Sequence, residues 1–350
     1  MAMARPFHAW QEFPVPHRLE DFARRLKAAL NSTLPSETRY EKVSVLALRW
    51  ANDQMGVDRL EAQLLQILHD KYQYDVESFV IPTAECAGKL SLKLSNWSNT
   101  HSGQGTLRIY VYTGHAAGAT LDRWYLGGTV NAHGDLNGPR VDWNTLRAGP
   151  EGFLGDVCYL FGCCSAGPIA MEDGPETIFS FTQDLIDVLQ DLNGDAETLA
   201  GIHARMFRNA RQNQASAPPV YIPKNGASSI TLARLGLNRV ITRRQLRVEH
   251  RVLLSIRIRD QIRESDLQQW TQWLTNNIPS DLVSADVKIE SVFHSEVLLV
   301  TVPVEIWIML PGDDPSISFV AHVTSNNVLP QLERSPIPPL PFRPLLTDDY

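Results

Sequence analysis

The segment Lys42–Trp50 reads KVSVLALRW, a nearly unbroken run of apolar and β-branched residues. Such a run is typical of a strand that is buried on both faces of a sheet. The leucines of Asp58–Tyr72 follow with helical spacing and Asp58 as the expected N-cap, and a second apolar strand follows at Asp75–Ile81. A strand, a helix and another strand in this order indicate a parallel sheet that is covered by helices.

The same alternation continues as far as residue 235. Two more strands are predicted at 107–112 and 157–161, and short ones at 220–222 and 229–232. Helices are predicted at 18–30, 90–96, 142–148, 181–192 and 198–208. The fold class that we expect is α/β, with a mainly parallel sheet, helices on both of its faces and a small α+β domain after it.

The second domain is separated from the first by a change in composition at residues 235–245, which are rich in arginine and asparagine. We expect a lead-in helix within 1–40, the α/β domain at 41–235, the α+β domain at 246–325 and a Pro-rich extended tail at 329–350. The α+β domain is predicted to contain an antiparallel sheet, with strands at 251–257, 283–293, 297–307 and 316–323 and a helix at 265–276.

Charge and hydropathy argue against several classes of function. The net charge is −7, with 32 basic and 39 acidic side chains, whereas nucleic-acid-binding domains usually carry a basic surplus. The longest apolar runs are shorter than the ~18 residues that cross a bilayer, and residues 1–16 lack the apolar run of a signal peptide. We therefore expect a cytoplasmic protein that binds neither nucleic acid nor membrane.

The cysteines do not form a metal-binding pattern. They are Cys86, Cys158, Cys163 and Cys164, and the chain contains no C-x-x-C spacing and no H-E-x-x-H motif. We therefore expect neither a metal nor another cofactor. Two roles remain for these residues, which are thiol chemistry and burial in the core. Cys158 lies within a predicted strand, and we expect it in the core.

Two short motifs stand at the carboxyl ends of predicted parallel strands. Residues 112–116 read YTGHA, and residues 162–167 read GCCSAG. Open α/β sheets place reactive groups at this edge, and a cysteine nucleophile needs a nearby base to raise its thiolate fraction. His115 can serve Cys164 as that base if their strands are neighbours. The two residues are 49 positions apart, which suits one crossover between adjacent strands.

These motifs resemble those of the caspase-like cysteine peptidases, and more closely those of the metacaspases and their fungal relatives. In that family the first motif reads Y-S-G-H-G and the second reads D-C-C-H-S-G or D-S-C-H-S-G, and caspases place the histidine about 50 residues before the cysteine. Residues 50–53, 141–143 and 270–274 are also similar to the fungal group. The resemblance covers about residues 40–235, with weaker similarity as far as residue 325.

The resemblance implies a caspase-like fold and a Cys-His dyad that hydrolyses a peptide or protein substrate, with no cofactor. It makes Cys164 the nucleophile and His115 the base, and it assigns the oxyanion hole to the backbone N–H groups of Ala116 and Cys164. Asp53, which follows the first strand, would supply negative charge to a pocket for basic residues. Alternatively, Asp53 is an ordinary turn residue before the helix.

Two departures from the family pattern leave other functions open. Gly162 stands where the family has an acid, and Ala116 stands where the family has a glycine. We therefore consider three functions, which are a caspase-like cysteine endopeptidase, a catalytically inactive caspase-like module for signalling or assembly, and a thiol enzyme that transfers acyl groups in peptide biosynthesis. The inactive module would bind a protein partner through the C-terminal domain or the Pro-rich tail.

Overall fold

The computed structural model describes residues 19–33, 36, 39–120, 123–165, 181–212, 228–236, 251–258, 288–293, 297–307, 309–310, 314 and 316–323. The chain divides into two compact units. We call residues 28–244 the α/β unit, and residues 1–27 together with 245–350 the C-terminal unit. The predicted strand at 220–222, the predicted helix at 265–276 and the Pro-rich tail lie outside the described residues.

Strands and helices alternate along the α/β unit, as predicted. Its described strands are β1 Lys42–Trp50, β2 Asp75–Ile81, β3 Thr106–Thr120, β4 Arg123–Gly127, β5 Arg140–Asp142, β6 Asp156–Ser165, β7 Glu197–Thr198 and β8 Thr231–Leu232. Helix α1 (Leu19–Thr33) contains the boundary between the units. The helices after it are α2 Asp58–Tyr72, α3 Cys86–Thr100, α4 Trp143–Leu146, α5 Ala148–Glu151, α6 Phe181–Leu192 and α7 Leu199–Gln212. Within the described ranges, no helix combines the length and the apolar character that a bilayer crossing needs.

The main sheet combines a parallel part with an antiparallel extension. Strands β2, β1, β3 and β6 lie side by side in that order and run parallel. Strand β4 runs antiparallel to the end of β3, and β5 pairs with β4. The α/β class and the parallel strands are thus confirmed. Strands β4 and β5 were not predicted, because segments of five and three residues carry too little alternation to be recognised alone.

Helices cover both faces of this sheet. On one face, here called the α2 face, Val45, Ile109 and Cys158 of the strands pack against α2, α6 and α7. On the other, the α3 face, Leu46 and Tyr110 pack against α3 and α4. Successive residues of a strand point to opposite faces. Odd-numbered residues of β1 and β3 and even-numbered residues of β6 therefore belong to the α2 face.

A buried arginine fixes the connection that leads into β6. Arg108 of β3 is completely buried, and its guanidinium donates hydrogen bonds to the backbone carbonyls of Pro150 (3.1 Å), Phe153 (3.0 Å) and Leu154 (3.2 Å). The planar, forked guanidinium can satisfy several carbonyls at once. The start of β6 is thereby held beside β3, which sets the register of these two strands.

The C-terminal unit contains a separate antiparallel sheet, as expected. Its described elements are β9 Arg251–Arg257, β10 Lys288–Phe293, β11 Val297–Pro303, α8 Val304–Trp307 and β12 Ile317–Val323, with the strand order β10-β11-β9-β12. The strand predicted at 297–307 is wrong at its end, because Pro303 has no N–H to continue the ladder and a helical turn follows. In the same unit, Arg25 of α1 forms an ion pair with the buried Asp314.

Candidate functional site

The first motif (112–116) and the described part of the second (162–165) lie inside strands, and the predicted strand ends at residues 112 and 161 are wrong. Strand β3 continues through YTGHA to Thr120, and β6 continues through Gly162 and the cysteine pair to Ser165. The physical reason is that β3 exchanges one partner for another. Its pairing with β1 ends at Tyr112, and its pairing with β4 begins at His115. The backbone groups of the motif therefore find partners that only the tertiary structure provides.

The pairing of β3 with β6 brings together the two residues on which the predicted chemistry depends. His115 is the register partner of Cys164, with Gly114 opposite Cys163 and Ala116 opposite Ser165. Neighbouring strands lie about 4.8 Å apart, so the backbones at positions 115 and 164 are adjacent. By the alternation of the two strands, both positions belong to the α2 face.

His115 occupies a buried and only partly satisfied environment. Its side chain is 6% exposed, and its Nε2 atom has no hydrogen-bond partner among the residues described here. Burial lowers the pKa of His115 below its ordinary value, and the charge of Asp53 opposes this shift. The imidazole is therefore neutral at neutral pH, which is the form that can accept a proton.

Asp53 organises the turn between β1 and α2. Its carboxylate oxygen Oδ2 accepts hydrogen bonds from the backbone N–H groups of Met55 (3.1 Å) and Val57 (3.2 Å). The N-cap of α2 is Val57, which has no side-chain cap, so the expectation that Asp58 caps the helix is wrong. The other oxygen of Asp53, Oδ1, is buried and has no hydrogen-bond partner in the described part of the chain.

Tyr112 and Gly114 shape the backbone next to His115. The Tyr112 hydroxyl lies 2.7 Å from the carbonyl oxygen of His115 and 3.0 Å from that of Gly127, to either of which it can donate. Gly114 has φ +155°, and a Cβ at this position would lie only 2.7 Å from the Tyr112 hydroxyl oxygen. The YTG residues of the motif thus build the bend at which β3 passes from β1 to β4.

Gly114→Ala is expected to lower the free energy of unfolding by about 2–4 kcal/mol, since it adds a side chain where φ is positive and crowds the Tyr112 hydroxyl. Chemical denaturation of the purified variant measures this loss. Gly118→Ala is the matched control in the same strand, because a Cβ at Gly118 would meet no atom within 4 Å. Equal effects of the two substitutions would show that the bend at Gly114 is not needed.

Gly162 lies under the first turn of helix α6. A Cβ on this glycine would overlap the hydroxyl oxygen of Thr182, which is 2% exposed, and would lie 3.5 Å from Cδ1 of Phe181. Helix α6 therefore occupies the space that a side chain at position 162, such as the acid of the similar caspase-like motifs, would need.

Ala116 is paired on both sides. Its register partners are Leu126 of β4 and Ser165 of β6, and its side chain is buried on the α3 face. Its backbone N–H therefore faces a neighbouring strand in this arrangement. An oxyanion hole would instead require this N–H to face a substrate. The role of Ala116 in an oxyanion hole therefore stays a prediction.

The other cysteines differ in their surroundings. Cys158 is buried in the core of the α2 face, as expected, and burial raises the pKa of its thiol to about 12, so that the thiol is protonated at neutral pH. Cys86 is half-buried at the start of α3, and its Sγ lies 3.9 Å from the carbonyl oxygen of Arg140. Within the described ranges, no group of three or more His, Cys, Asp or Glu side chains is arranged to hold a metal ion.

Sequence reasoning missed two polar residues at this site. The hydroxyl of Thr113 is buried without a hydrogen-bond partner among the described side and main chains, and Thr113 lies opposite Gly162 in the register. The Tyr112 hydroxyl supports the His115 carbonyl. Their positions within the YTGHA motif were the available signal, but only the paired strands show what each residue contacts.

The known protein families contain no model that matches this chain. The search of curated proteins likewise finds no match.

Proposed function

We propose that this protein is a caspase-like cysteine endopeptidase that acts in the cytoplasm on a peptide or protein substrate, with Cys164 as the nucleophile and His115 as the base. The observation that supports the proposal is the pairing of positions 115 and 164 across adjacent parallel strands. Positions 115 and 164 lie far apart in the chain but are register partners in this ladder, which supports pairing a base at one with a nucleophile at the other.

The chemistry is a two-step acyl transfer. The thiol proton of Cys164 passes to the neutral imidazole of His115, and the thiolate attacks the carbonyl carbon of the scissile peptide bond. The C–N bond then breaks as the imidazolium protonates the leaving amine, which leaves a thioester on Cys164. A water molecule, deprotonated by His115, hydrolyses the thioester and restores the thiol.

The environment of His115 supports the role of a base. Because burial keeps its pKa below the ordinary value, the imidazole is free to accept a proton at neutral pH. Cys158 offers the contrast, since its position in the core makes ionisation unfavourable and hides it from substrate.

An electrophilic peptide probe tests the proposal directly. We expect the probe to label Cys164 in the folded protein and leave Cys158 unlabelled, as read by mass spectrometry of the digested protein. His115→Ala is expected to slow labelling by about 10²–10⁴-fold, the usual contribution of a general base. His133→Ala, in the exposed loop after β4, is the matched control and should label normally. A folded protein in which Cys164 stays unlabelled would contradict the proposal.

A second candidate function is a non-catalytic caspase-like module. It is favoured by the burial of His115 and by the pairing of Ala116 on both sides, since burial and strand pairing reduce the access of a substrate to these groups. This function predicts that Cys164→Ala leaves the biological output unchanged and that removal of residues 235–350 abolishes binding of a protein partner. A thiol acyl transferase would also be labelled at Cys164 by the electrophilic probe. It would, however, join the acyl group to another peptide, and the mass of that product differs from the mass of a hydrolysed peptide.

A further inference from the structure

We propose that Asp53 is the positioning residue of this site, a carboxylate that stabilises the protonated form of His115 and completes a Cys164–His115–Asp53 triad. The catalytic role of Asp53 in this inference rests on the proposed peptidase function. It replaces the expected role of Asp53 as a pocket acid for basic substrates, and it adds a third member to a site expected to be a dyad.

The course of the backbone places Asp53 near His115. Strand β1 runs beside β3, and their last register pair joins Leu48 to Tyr112, so the residues after Trp50 reach the level of His115. The chain then turns back on itself, because the N–H of Asp53 donates to the carbonyl oxygen of Trp50 at 3.3 Å. Asp53 is thereby held at the end of β1 instead of extending away from the sheet.

The same turn is anchored on the strand segment that pairs with His115. Gly127 is the register partner of His115, and Gly128 follows it. A Cβ on Gly128 would lie 2.8 Å from the Cβ of Trp50 and would overlap the side-chain oxygen of Asn52. The next residue but one, Val130, donates its N–H to Oε1 of Gln54 at 3.2 Å. Residues 50–54 therefore pack closely along this part of β4 and its continuation.

Two buried polar atoms in this neighbourhood lack partners. Oδ2 of Asp53 is occupied by the N–H groups of Met55 and Val57, whereas Oδ1 of Asp53 and Nε2 of His115 have no hydrogen-bond partner within the described residues. A buried carboxylate oxygen without a partner is unfavourable unless a positive charge compensates it. Asp53 is also the charged residue whose field opposes the effect of burial on the pKa of His115.

The chemistry explains why such a carboxylate is useful. When Cys164 gives its proton to His115, a positive imidazolium forms in a position that is 6% exposed. Burial disfavours that charge, and a nearby negative carboxylate offsets the penalty. In this step the proton moves from the thiol to the imidazole and stays there, and no proton is transferred to Asp53. Its effect is to raise the fraction of the thiolate–imidazolium pair.

Asp53→Asn tests this role because the amide keeps an oxygen that can accept from Met55 and Val57 while the charge is removed. Asp58→Asn is the matched control, since Asp58 is exposed in the first turn of α2 and loses the same charge. The pKa of the His115 imidazole is measured by NMR in full-length protein carrying Cys164→Ala. We expect Asp53→Asn to lower this pKa further and Asp58→Asn to leave it unchanged.

The kinetic readout separates positioning from substrate selection. In protein with Cys164 intact, Asp53→Asn is expected to lower kcat by about 10- to 100-fold, part of the 10²–10⁴-fold that general acid–base catalysis contributes, with KM for basic and neutral peptides nearly unchanged. A pocket acid would instead raise KM for basic peptides alone. Asp53→Ser, whose hydroxyl can also accept a hydrogen bond, serves as a second neutral variant if Asp53→Asn does not fold.

An unchanged His115 pKa in the folded neutral variants would overturn the inference, as would a change confined to KM for basic peptides. A second outcome is that Asp53→Asn lowers the pKa of His115 but neither the unaltered protein nor any variant cleaves peptides. That result would uphold the coupling between Asp53 and His115 and overturn the peptidase function. The NMR measurement does not depend on activity, so the two failures are distinguishable.

Discussion

Cys164→Ala is expected to reduce the rate of peptide hydrolysis at least about 10⁴-fold, because it removes the atom that forms the covalent intermediate. His115→Ala is expected to cause a loss of similar order, since the thiol then lacks its base. The two residues act as one unit, so the double variant should be no slower than the slower single variant. Steady-state hydrolysis of fluorogenic peptides, with circular dichroism to verify folding, measures all three losses.

The adjacent cysteine offers the matched control for this experiment. Cys163 lies opposite Gly114 and not opposite His115, and the alternation of β6 assigns position 163 to the α3 face. Cys163→Ala should therefore keep hydrolysis within about tenfold of the unaltered protein, well inside the loss expected for a nucleophile. Full activity of Cys164→Ala, combined with loss of activity in Cys163→Ala, would transfer the role of nucleophile to Cys163 and invalidate the register argument.

Gly162→Asp is expected to lower the free energy of unfolding by about 3–5 kcal/mol, although it introduces the acid that the similar caspase-like motifs carry at the corresponding position. The new Cβ would overlap the Thr182 hydroxyl, which is buried at the start of helix α6. Overpacking in a core costs about 1–3 kcal/mol, and a buried carboxylate without a partner adds to this loss. We expect no new preference for basic residues, because helix α6 occupies the space. Equilibrium denaturation and cleavage of matched basic and neutral peptides measure the two outcomes.

Two smaller substitutions test whether overlap with the Thr182 hydroxyl causes the loss of stability. Gly162→Ala alone should lose about 1–3 kcal/mol, and Gly162→Ala combined with Thr182→Ala should lose less than the sum of the single losses, because the second change removes the overlapping hydroxyl. Additive losses would mean that Thr182 is not the obstacle. A stable Gly162→Asp protein that gains activity on basic peptides would show instead that helix α6 can move away from this position.

Local patterns predicted most of the secondary structure in the α/β unit. The bounds of β1, β2 and α6 were correct, and α2 ends at Tyr72 as predicted but begins one residue before the predicted start, because each segment has a run or a regular period of apolar residues. Prediction failed where a short segment depends on its neighbours. Strand β4 pairs with the end of β3, and β5 pairs in turn with β4. The one helix predicted at 142–148 is two short helices, α4 and α5, that begin at Trp143 and Ala148.

The candidate site, too, was predicted from the sequence only in part. His115 and Cys164 were predicted as site residues from their residue types, their spacing and the apolar strands before them, and their roles come from the resemblance to the caspase-like motifs; all of these are read from the chain alone. Their residue-to-residue register depends on the ladder between β3 and β6, and this ladder is set by contacts such as those of Arg108 with carbonyls more than 40 residues away. Sequence periodicity identifies a strand but not its neighbour.

By itself, therefore, the amino-acid sequence determined which segments form strands and helices, that they build an α/β sheet, and which side chains carry reactive groups. The tertiary structure alone decided that position 115 pairs with position 164, that helix α6 closes the space over Gly162, and that the N–H of Asp53 turns back to the carbonyl of Trp50. The physical reason is that hydrophobic periodicity and turn chemistry act over a few residues, whereas register, close packing and the field of a buried charge arise between segments that meet only in the folded chain.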